Sequence, residues 1–554
     1  MFMSSNWYQE AVFYELYLRA YCDSNGDGHG DFKGAIKKLD HIQSLGVDCI
    51  WILPMYPSPL KDDGYDIADY RNIHPQYGTL DDFKAFLDAA HERGLRVITD
   101  LVMNHTSDQH NWFQRARTDP ESPYHHYYVW SDTGQEYPDA RIIFRDYEES
   151  NWSYDNAAGK YFWHRFYRTQ PDLNYDNPAV QQEMIDTMRF WLDMGVDGFR
   201  ADAIPYLFER TGTNCDNLPE THAFMKQVRK IMEVEYPEAI MIAEANQWPE
   251  DVVEYFGIGD EFHMCFHFPV MPRLYMALKQ GNKKPIMDIL ARTPEIPKGT
   301  QWLTFLRNHD ELTLEMVTPE ERQWMWEQYA PEPRMRQNLG IRRRLAPLMD
   351  GDKRRWLLLN ALLLSLPGTP IIYYGDEIGM GDNIWLPDRH GCRTPMQWSA
   401  EKNAGFSVAE DTYQPVNDDQ LFGYKELNVA QQEEDPESYL WAMRFLLKAR
   451  QEHIALRRGS MKIQTNDNPG VLAYWRVVGN EPGAGHKIAV SLAERRVLCL
   501  YNLSNQQQSL SLDMRSDLGK TFTDLLSQEK ILITEWPVVK ILSPYASHWL
   551  RLDS

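Results

Sequence analysis

Arg200 and Asp202 stand two positions apart in the otherwise apolar segment DGFRADAIPYLFE, residues 197–209. On an extended strand, residues i and i+2 project to the same side. Both side chains therefore face one place, either a buried ion pair or an active site. Other apolar segments end on similar groups: Asp100 with Asn104 and His105 just beyond it, Glu244, and His309 with Asp310. A single acid at a strand end is usually a helix cap or a structural ion pair; several acids converging on one mouth point to reactivity. Concentrated carboxylates suit glycoside chemistry, in which one acid protonates the leaving oxygen and a second meets the cationic sugar carbon. In retaining enzymes the two stand about 5–5.5 Å apart and one forms a covalent glycosyl ester. On this reading the charge of Arg200 keeps Asp202 ionised, and crowding by other acids raises the pKa of Glu244 so that it can donate a proton.

These groups need a scaffold that gathers strand ends. Eight apolar segments recur: AVFYELYLR, VDCIWILP, LRVITDLVMNH, VDGFRADAI, AIMIAEANQ, HMCFHFPV, WLTFLRNHDE and GTPIIYYGDE. They alternate with amphipathic stretches such as LDDFKAFLDAAHERG, the pattern of a parallel sheet with helical crossovers. Eight such repeats close most simply into a (β/α)₈ TIM barrel, an α/β fold with active sites at the C-terminal ends of its strands. Residues 1–104 form its first part and 175–458 its second. Polar, aromatic, turn-rich residues 105–174 read as a subdomain inserted after strand three, and residues 318–353 as a lid-like insertion after strand seven. From 459 to 554 the pattern changes to period two, which predicts a C-terminal antiparallel β-sandwich.

The bulk numbers narrow the partners. The 554 residues carry a net charge of −23, which argues against nucleic acid or an anionic membrane. Six cysteines (Cys22, Cys49, Cys215, Cys265, Cys392, Cys499) are scattered without CxxC pairs, which fits a reducing cytoplasm better than a zinc site or disulfide framework. No signal-peptide pattern and no apolar run of about 18 residues is evident, so a soluble cytoplasmic protein is expected. In DSNGDGHGDF, Asp23, Asn25, Asp27, the backbone of His29 and Asp31 alternate as in the first nine positions of a calcium loop, with Gly28 at the sharp turn. Gly34 occupies the twelfth position, so the loop is not an EF-hand. A structural Ca²⁺, or Mg²⁺ in its place, is expected there, with no organic cofactor.

DLVMNH, GFRADAIPYLFE, AEANQ and LRNHDE, in this order, resemble the four strand-end motifs of the alpha-amylase superfamily of glycoside hydrolases, and QPDLN at residues 170–174 resembles a motif of its oligoglucosidase-like branch. The resemblance implies Asp202 as nucleophile, Glu244 as general acid/base and Asp310 as the third acid. It places Arg200, His105, His309, Asp62, Tyr65 and Arg393 around the transferred glucose. It also implies a second hard cation held by Asn104, Asp172, the backbone of Tyr206 and Leu207, and Glu209. Longer stretches, among them EANQWPEDVVEYFG and YYGDEIGMGDNIWL, resemble the branch that interconverts maltose and trehalose by intramolecular glucosyl transfer with minor hydrolysis. The alternatives are an α-glucosidase or oligo-1,6-glucosidase acting on short α-glucans and, more remotely, a non-catalytic barrel used for binding. A homo-oligomer, and a maltokinase partner at the C-terminal domain, are further expectations.

Overall fold

The computed structural model describes residues 6–479 and 495–553. All eight anticipated segments form strands: β1 (Phe13–Leu16), β2 (Cys49–Ile52), β3 (Arg96–Val102), β4 (Gly198–Asp202), β5 (Ile240–Ala243), β6 (Met264–Phe266), β7 (Gln301–Phe305) and β8 (Thr369–Tyr373). They pair in parallel in the order β1-β8-β7-β6-β5-β4-β3-β2 and close into a barrel. Helices cover the outside and side chains fill the inside, so β1 and β2 are buried along their whole length. The register fixes the height of the site. Val102 pairs with Asp202 and Ala201 with Ala243, so Asp202 and Glu244 leave neighbouring strands at the same level.

The crossover helices have clear boundaries. The helix Leu80–Glu92 begins with a capping box between Thr79 and Asp82. Phe32–Leu45 is capped by Asp31 and Pro178–Met194 by Asn177, and each ends on a glycine of positive φ, Gly46 and Gly195.

The inserted subdomain contains the helix Asn111–Thr118 and a three-stranded antiparallel sheet of Trp130–Ser131, Lys160–Trp163 and Trp152–Asp155. The bridges His105–Asp172 and Tyr128–Leu173 close its two ends together. In the second insertion the helix Pro319–Tyr329 follows a capping box of Thr318 and Glu321. A hairpin, Arg336–Gln337 with Gly340–Ile341, then pairs back onto Leu312–Thr313. The unit therefore starts before residue 318, because its first strand is the short segment leaving β7.

The run IRRRLAP reads from sequence as a solvated or salt-bridged face; Arg343 and Arg344 are salt-bridged, to Asp382 and Asp376, and the run is half-buried to buried rather than solvated, its arginines acting as staples. Arg344 is fully buried and donates to the carbonyls of Tyr374 and Cys392. Arg343 pairs with Asp382, and Arg342 donates to the carbonyls of Leu386 and Asp388. Together they fix loop 382–392 over the barrel mouth. The C-terminal region has a six-stranded antiparallel sheet and a two-stranded one, Gln508–Leu512 with Val538–Leu542. Val471, Leu498, Leu500, Leu510 and Leu542 form part of the core between them. All six cysteines are free and buried. Among the described residues no helix is long and apolar enough to cross a membrane.

Candidate active site

At the C-terminal mouth of the barrel one guanidinium organises three carboxylates. Arg200 Nη1 pairs with Asp202 Oδ1 and, at 2.6 Å, with Asp100 Oδ1, while Nη2 lies 2.9 Å from Glu244 Oε1. Arg200 and Asp202 share a side, as period-two alternation on β4 requires, and Glu244, just beyond β5, meets the same guanidinium. The backbone N–H of Ala203 donates to Glu244 Oε2 at 3.0 Å. Burial pushes Asp202 up to about 6 and Glu244 up to about 7, and Arg200 is the largest opposing influence on each. The order agrees with an ionised nucleophile beside a protonated donor. The chief cause differs from the sequence reading: desolvation raises Glu244 more than the neighbouring Asp202 and Asp310 do.

Asp310, beyond β7, has the opposite environment. Burial would raise it, but His309, Arg389 and Arg393 hold it well below the usual carboxylate range. Its Oδ1 accepts from Arg389 Nη1 at 2.7 Å and Arg393 Nη2 at 3.1 Å. Tyr65 stacks on His309 with ring centroids 5.3 Å apart. His105 is buried and, by desolvation, lowered to about 3, so it is neutral and acts through hydrogen bonds; Gln170 Nε2 lies 3.2 Å from its Nε2.

These groups surround a cavity of about 850 Å³, counting its open mouth. Asp62, Tyr65, His105, Asp202, Glu244 and Asp310 line it. Ile143, Phe144 and Phe166 of the inserted subdomain wall one side, and Glu311, Thr313 and Glu315 another. Arg141 spans these walls, with Nη1 2.8 Å from Glu315 Oε2 and Nη2 donating to the Tyr206 hydroxyl at 2.8 Å. Asn338, in the hairpin turn, donates to Asp146 and to Glu311, so the second insertion braces the mouth from behind.

Arg393 is not part of the wall. It is buried one layer back, bonded to Asp63 Oδ2 at 2.6 Å and to the His309 carbonyl at 2.8 Å. The arginine that faces the cavity is Arg389, which joins Asp62 Oδ1 at 2.6 Å to Asp310. Sequence reasoning passed over it because it lies on a loop rather than at a strand end; its position four residues before Arg393 was the available signal. Asn246 and Glu311 also line the cavity; they lie in the strand-end motifs AEANQ and LRNHDE, beside Glu244 and Asp310, so their signal was adjacency to those acids. Glu15 was missed although a lone carboxylate inside the apolar run VFYEL marks it.

The two expected cation sites differ in what the chain offers. Asn104 Oδ1, Asp172 Oδ2 and Glu209 Oε1 are all buried without a hydrogen-bond donor. Burial pushes Asp172 up to about 8, against the opposing influence of Arg165 and Asn104, and pushes Glu209 well above its ordinary value, where Asp172 adds to the rise and Arg165 opposes it. Arg165 acts on both carboxyls but donates to none of these three oxygens, and buried oxygens left without a donor fit a hard ion. In the loop at residues 23–31 every carboxylate oxygen already accepts. Asp23 takes N–H groups of Asn25, Gly26 and Gly28 and the Ser407 hydroxyl; Asp27 takes His29 N and Asn25 Nδ2; Asp31 takes Ser24 and Gly34. Gly28 has φ of 87°, and a Cβ there would lie 2.5 Å from the Asp411 carbonyl. This loop fits an ion by its all-oxygen donors alone. Among the described residues no cluster of three or more His, Cys, Asp or Glu could hold a metal; the Asn104 site has only two carboxylates and would add amide and backbone oxygens.

Residues 15–459 match the alpha-amylase catalytic domain. The chain belongs to the alpha-amylase family. Within the family it is similar to trehalose synthase/amylase of Mycolicibacterium smegmatis, 54% identical over 99% of this chain and 93% of that one. It is also similar to trehalose synthase of Pimelobacter sp., 52% identical over 99% of this chain and 96% of that one. Among solved structures, isomaltulose synthase from Erwinia rhapontici NX5 superposes with a TM-score of 0.78 at 27% identity, covering 100% of both chains.

Proposed function

We propose that this chain interconverts maltose and trehalose by a retaining double displacement. Asp202 attacks the anomeric carbon of the non-reducing glucose while Glu244 protonates the departing O4, leaving a β-glucosyl ester and free glucose. The glucose turns within the cavity and presents its anomeric hydroxyl. Glu244 removes that proton, the new C–O bond forms as the ester bond breaks, and the Asp202 carboxylate is released. Two inversions restore the α configuration. Asp310, Asp62, Arg389, His105 and Tyr65 would hold the hydroxyls of the transferred sugar.

The observation that carries this reading is the convergence of Asp202 and Glu244 on one guanidinium at a walled cavity, in a chain more than half identical over its length to trehalose synthases. Exchange of one α-glucoside for another has little driving force, so the catalytic task is to favour glucose over water as acceptor. The walls joined by Arg141 support this by confining the glucose at high effective molarity. Minor leakage would give glucose. Calcium at Asn104, Asp172, Glu209 and the carbonyls of Tyr206 and Leu207 belongs to the same reading: it would pin the loop after Asp202 to the inserted subdomain and stay clear of the scissile bond. A second ion would rigidify the loop at 23–31. Purified protein incubated with maltose, with products resolved by chromatography, tests the reading. Trehalose with minor glucose is expected; glucose alone would establish a hydrolase instead.

A further inference from the structure

Glu15 lies within β1, fully buried between β2 and β8 and paired in register with Trp51 and Tyr373. A carboxylate in a barrel wall requires a partner. Its Oε1 accepts the backbone N–H of His309 at 3.1 Å and meets His309 Nδ1 at 2.6 Å. Its Oε2 has no hydrogen-bond partner. On the far edge of the same ring, Nε2 stands 2.8 Å from the Tyr65 hydroxyl and 3.2 Å from Asp310 Oδ2. A neutral imidazole has one donor and one acceptor nitrogen. A ring with a carboxylate at each nitrogen needs two donors.

We propose that Glu15 is a positioning residue that keeps His309 doubly protonated, so that its Nε2–H orients Asp310 and Tyr65 and places positive charge beside the transferred glucose. Burial opposes that charge, but Asp310 and Glu15 overcome it and raise His309 to about 9. Other charged groups near the ring are Asp100 and Arg200 behind Tyr65, and Arg393, which donates to the His309 carbonyl. Asp376, beyond β8, feels Glu15 from the other side. None of these takes the place of Glu15 at Nδ1. The inference rests on the glucosyl-transfer reading, because it assigns His309 a part in that reaction.

Glu15→Gln keeps an acceptor for Nδ1–H and removes the negative charge. The ratio of variant to wild-type kcat/KM on maltose, followed from pH 5.5 to 8.5, should fall at least tenfold across the range, mainly in kcat, as His309 loses its proton in the variant. A ratio constant within twofold would overturn the inference, since a purely structural defect has no such pH dependence. If the variant does not fold, ¹⁵N NMR of the wild-type His309 ring, assigned by His309→Asn, decides: two protonated nitrogens at pH 7 are expected, and a neutral ring overturns it. A wild type inactive on both disaccharides would defeat the functional reading, while comparing the ring spectrum of wild type with that of Glu15→Gln would still test Glu15.

Discussion

Ala203, the residue after Asp202, holds Glu244 in place: its N–H donates to Glu244 Oε2 at 3.0 Å from a left-handed backbone with φ of 53°. The proposed nucleophile and acid/base are thus linked through one peptide unit as well as through Arg200. A left-handed alanine is strained, though much less than a β-branched residue would be. Ala203→Val should destabilise the protein by about 1–3 kcal/mol and lower kcat at least tenfold as Glu244 loses its tether. Ala203→Gly should retain stability to within about 1 kcal/mol. Denaturant unfolding alongside kcat separates the two, and a valine variant with wild-type kcat would show that the tether is dispensable.

The values of about 6 for Asp202 and about 7 for Glu244 imply a narrow pH profile. Activity requires the first deprotonated and the second protonated, so kcat/KM should rise through about 6 and fall through about 7, as apparent values of the coupled pair. The same shifts act on stability. A carboxyl raised in the native state retains a proton that the unfolded chain releases near its ordinary value. The native state therefore binds more protons in between, and stability declines as pH climbs through that window. Glu244→Gln removes this liability. Its advantage over wild type should be absent in acid and should grow to something on the order of 1–3 kcal/mol by pH 8, reduced by the 22% exposure of the Glu244 side chain. An unfolding temperature gap equal at pH 5 and pH 8 would contradict this.

The barrel was legible because its information is local. Each strand is an apolar run ending on chemistry-bearing residues, and parallel strands buried on both faces leave no other pattern to imitate. For the same reason Asp202, Glu244 and Asp310 stood out as candidates at strand ends, while the parts expected of them came from the resemblance to the alpha-amylase motifs. Arg389 did not, because its position depends on loop 382–392, which is held over the mouth by Arg342, Arg343 and Arg344 from a distant part of the chain. Long-range staples of this kind leave no periodic signal. The run IRRRLAP shows the cost: ion pairs for three adjacent cations can be anticipated, and Arg343 and Arg344 make them, but their carbonyl partners, some 30 to 50 residues away, cannot. The second insertion begins earlier than its sequence pattern indicates for a related reason, since a two-residue strand such as Leu312–Thr313 is defined by its partner.

The two arginines flanking Asp310 should fail in different ways. Arg389 spans Asp62 and Asp310 with a fixed fork that a lysine cannot reproduce. Arg389→Lys should lower kcat/KM about a hundredfold, or ~2.7 kcal/mol, with little change in unfolding temperature. Arg393 neutralises Asp63, which is buried and, against the effect of desolvation, held well below the carboxylate range chiefly by that arginine. Arg393→Ala leaves a buried charge short of its main partner and should destabilise by about 3–5 kcal/mol. If Arg389→Lys retains activity while Arg393→Ala retains stability, the division between cavity wall and supporting layer is wrong.

The buried oxygens of Asn104, Asp172 and Glu209 argue most directly for an ion. Each acceptor left without a donor costs about 1–3 kcal/mol, and two are carboxyl oxygens remote from solvent. A bound cation repays this only while it is present, so stability should follow calcium by mass action, about 2.7 kcal/mol at a hundredfold excess over Kd. Chelation by EGTA should lower the unfolding temperature, and millimolar Ca²⁺ should restore it. Asp172→Asn should abolish most of that response. Asp27→Asn, in the loop whose carboxylates are already satisfied by N–H groups, should remove only the smaller part due to a second ion. Residues 204–209 follow directly on Ala203, so loss of the first ion should also lower kcat by loosening the tether to Glu244, even at temperatures where the barrel stays folded. An EGTA-treated protein with unchanged unfolding temperature, unchanged kcat and no calcium uptake by calorimetry would rule the site out.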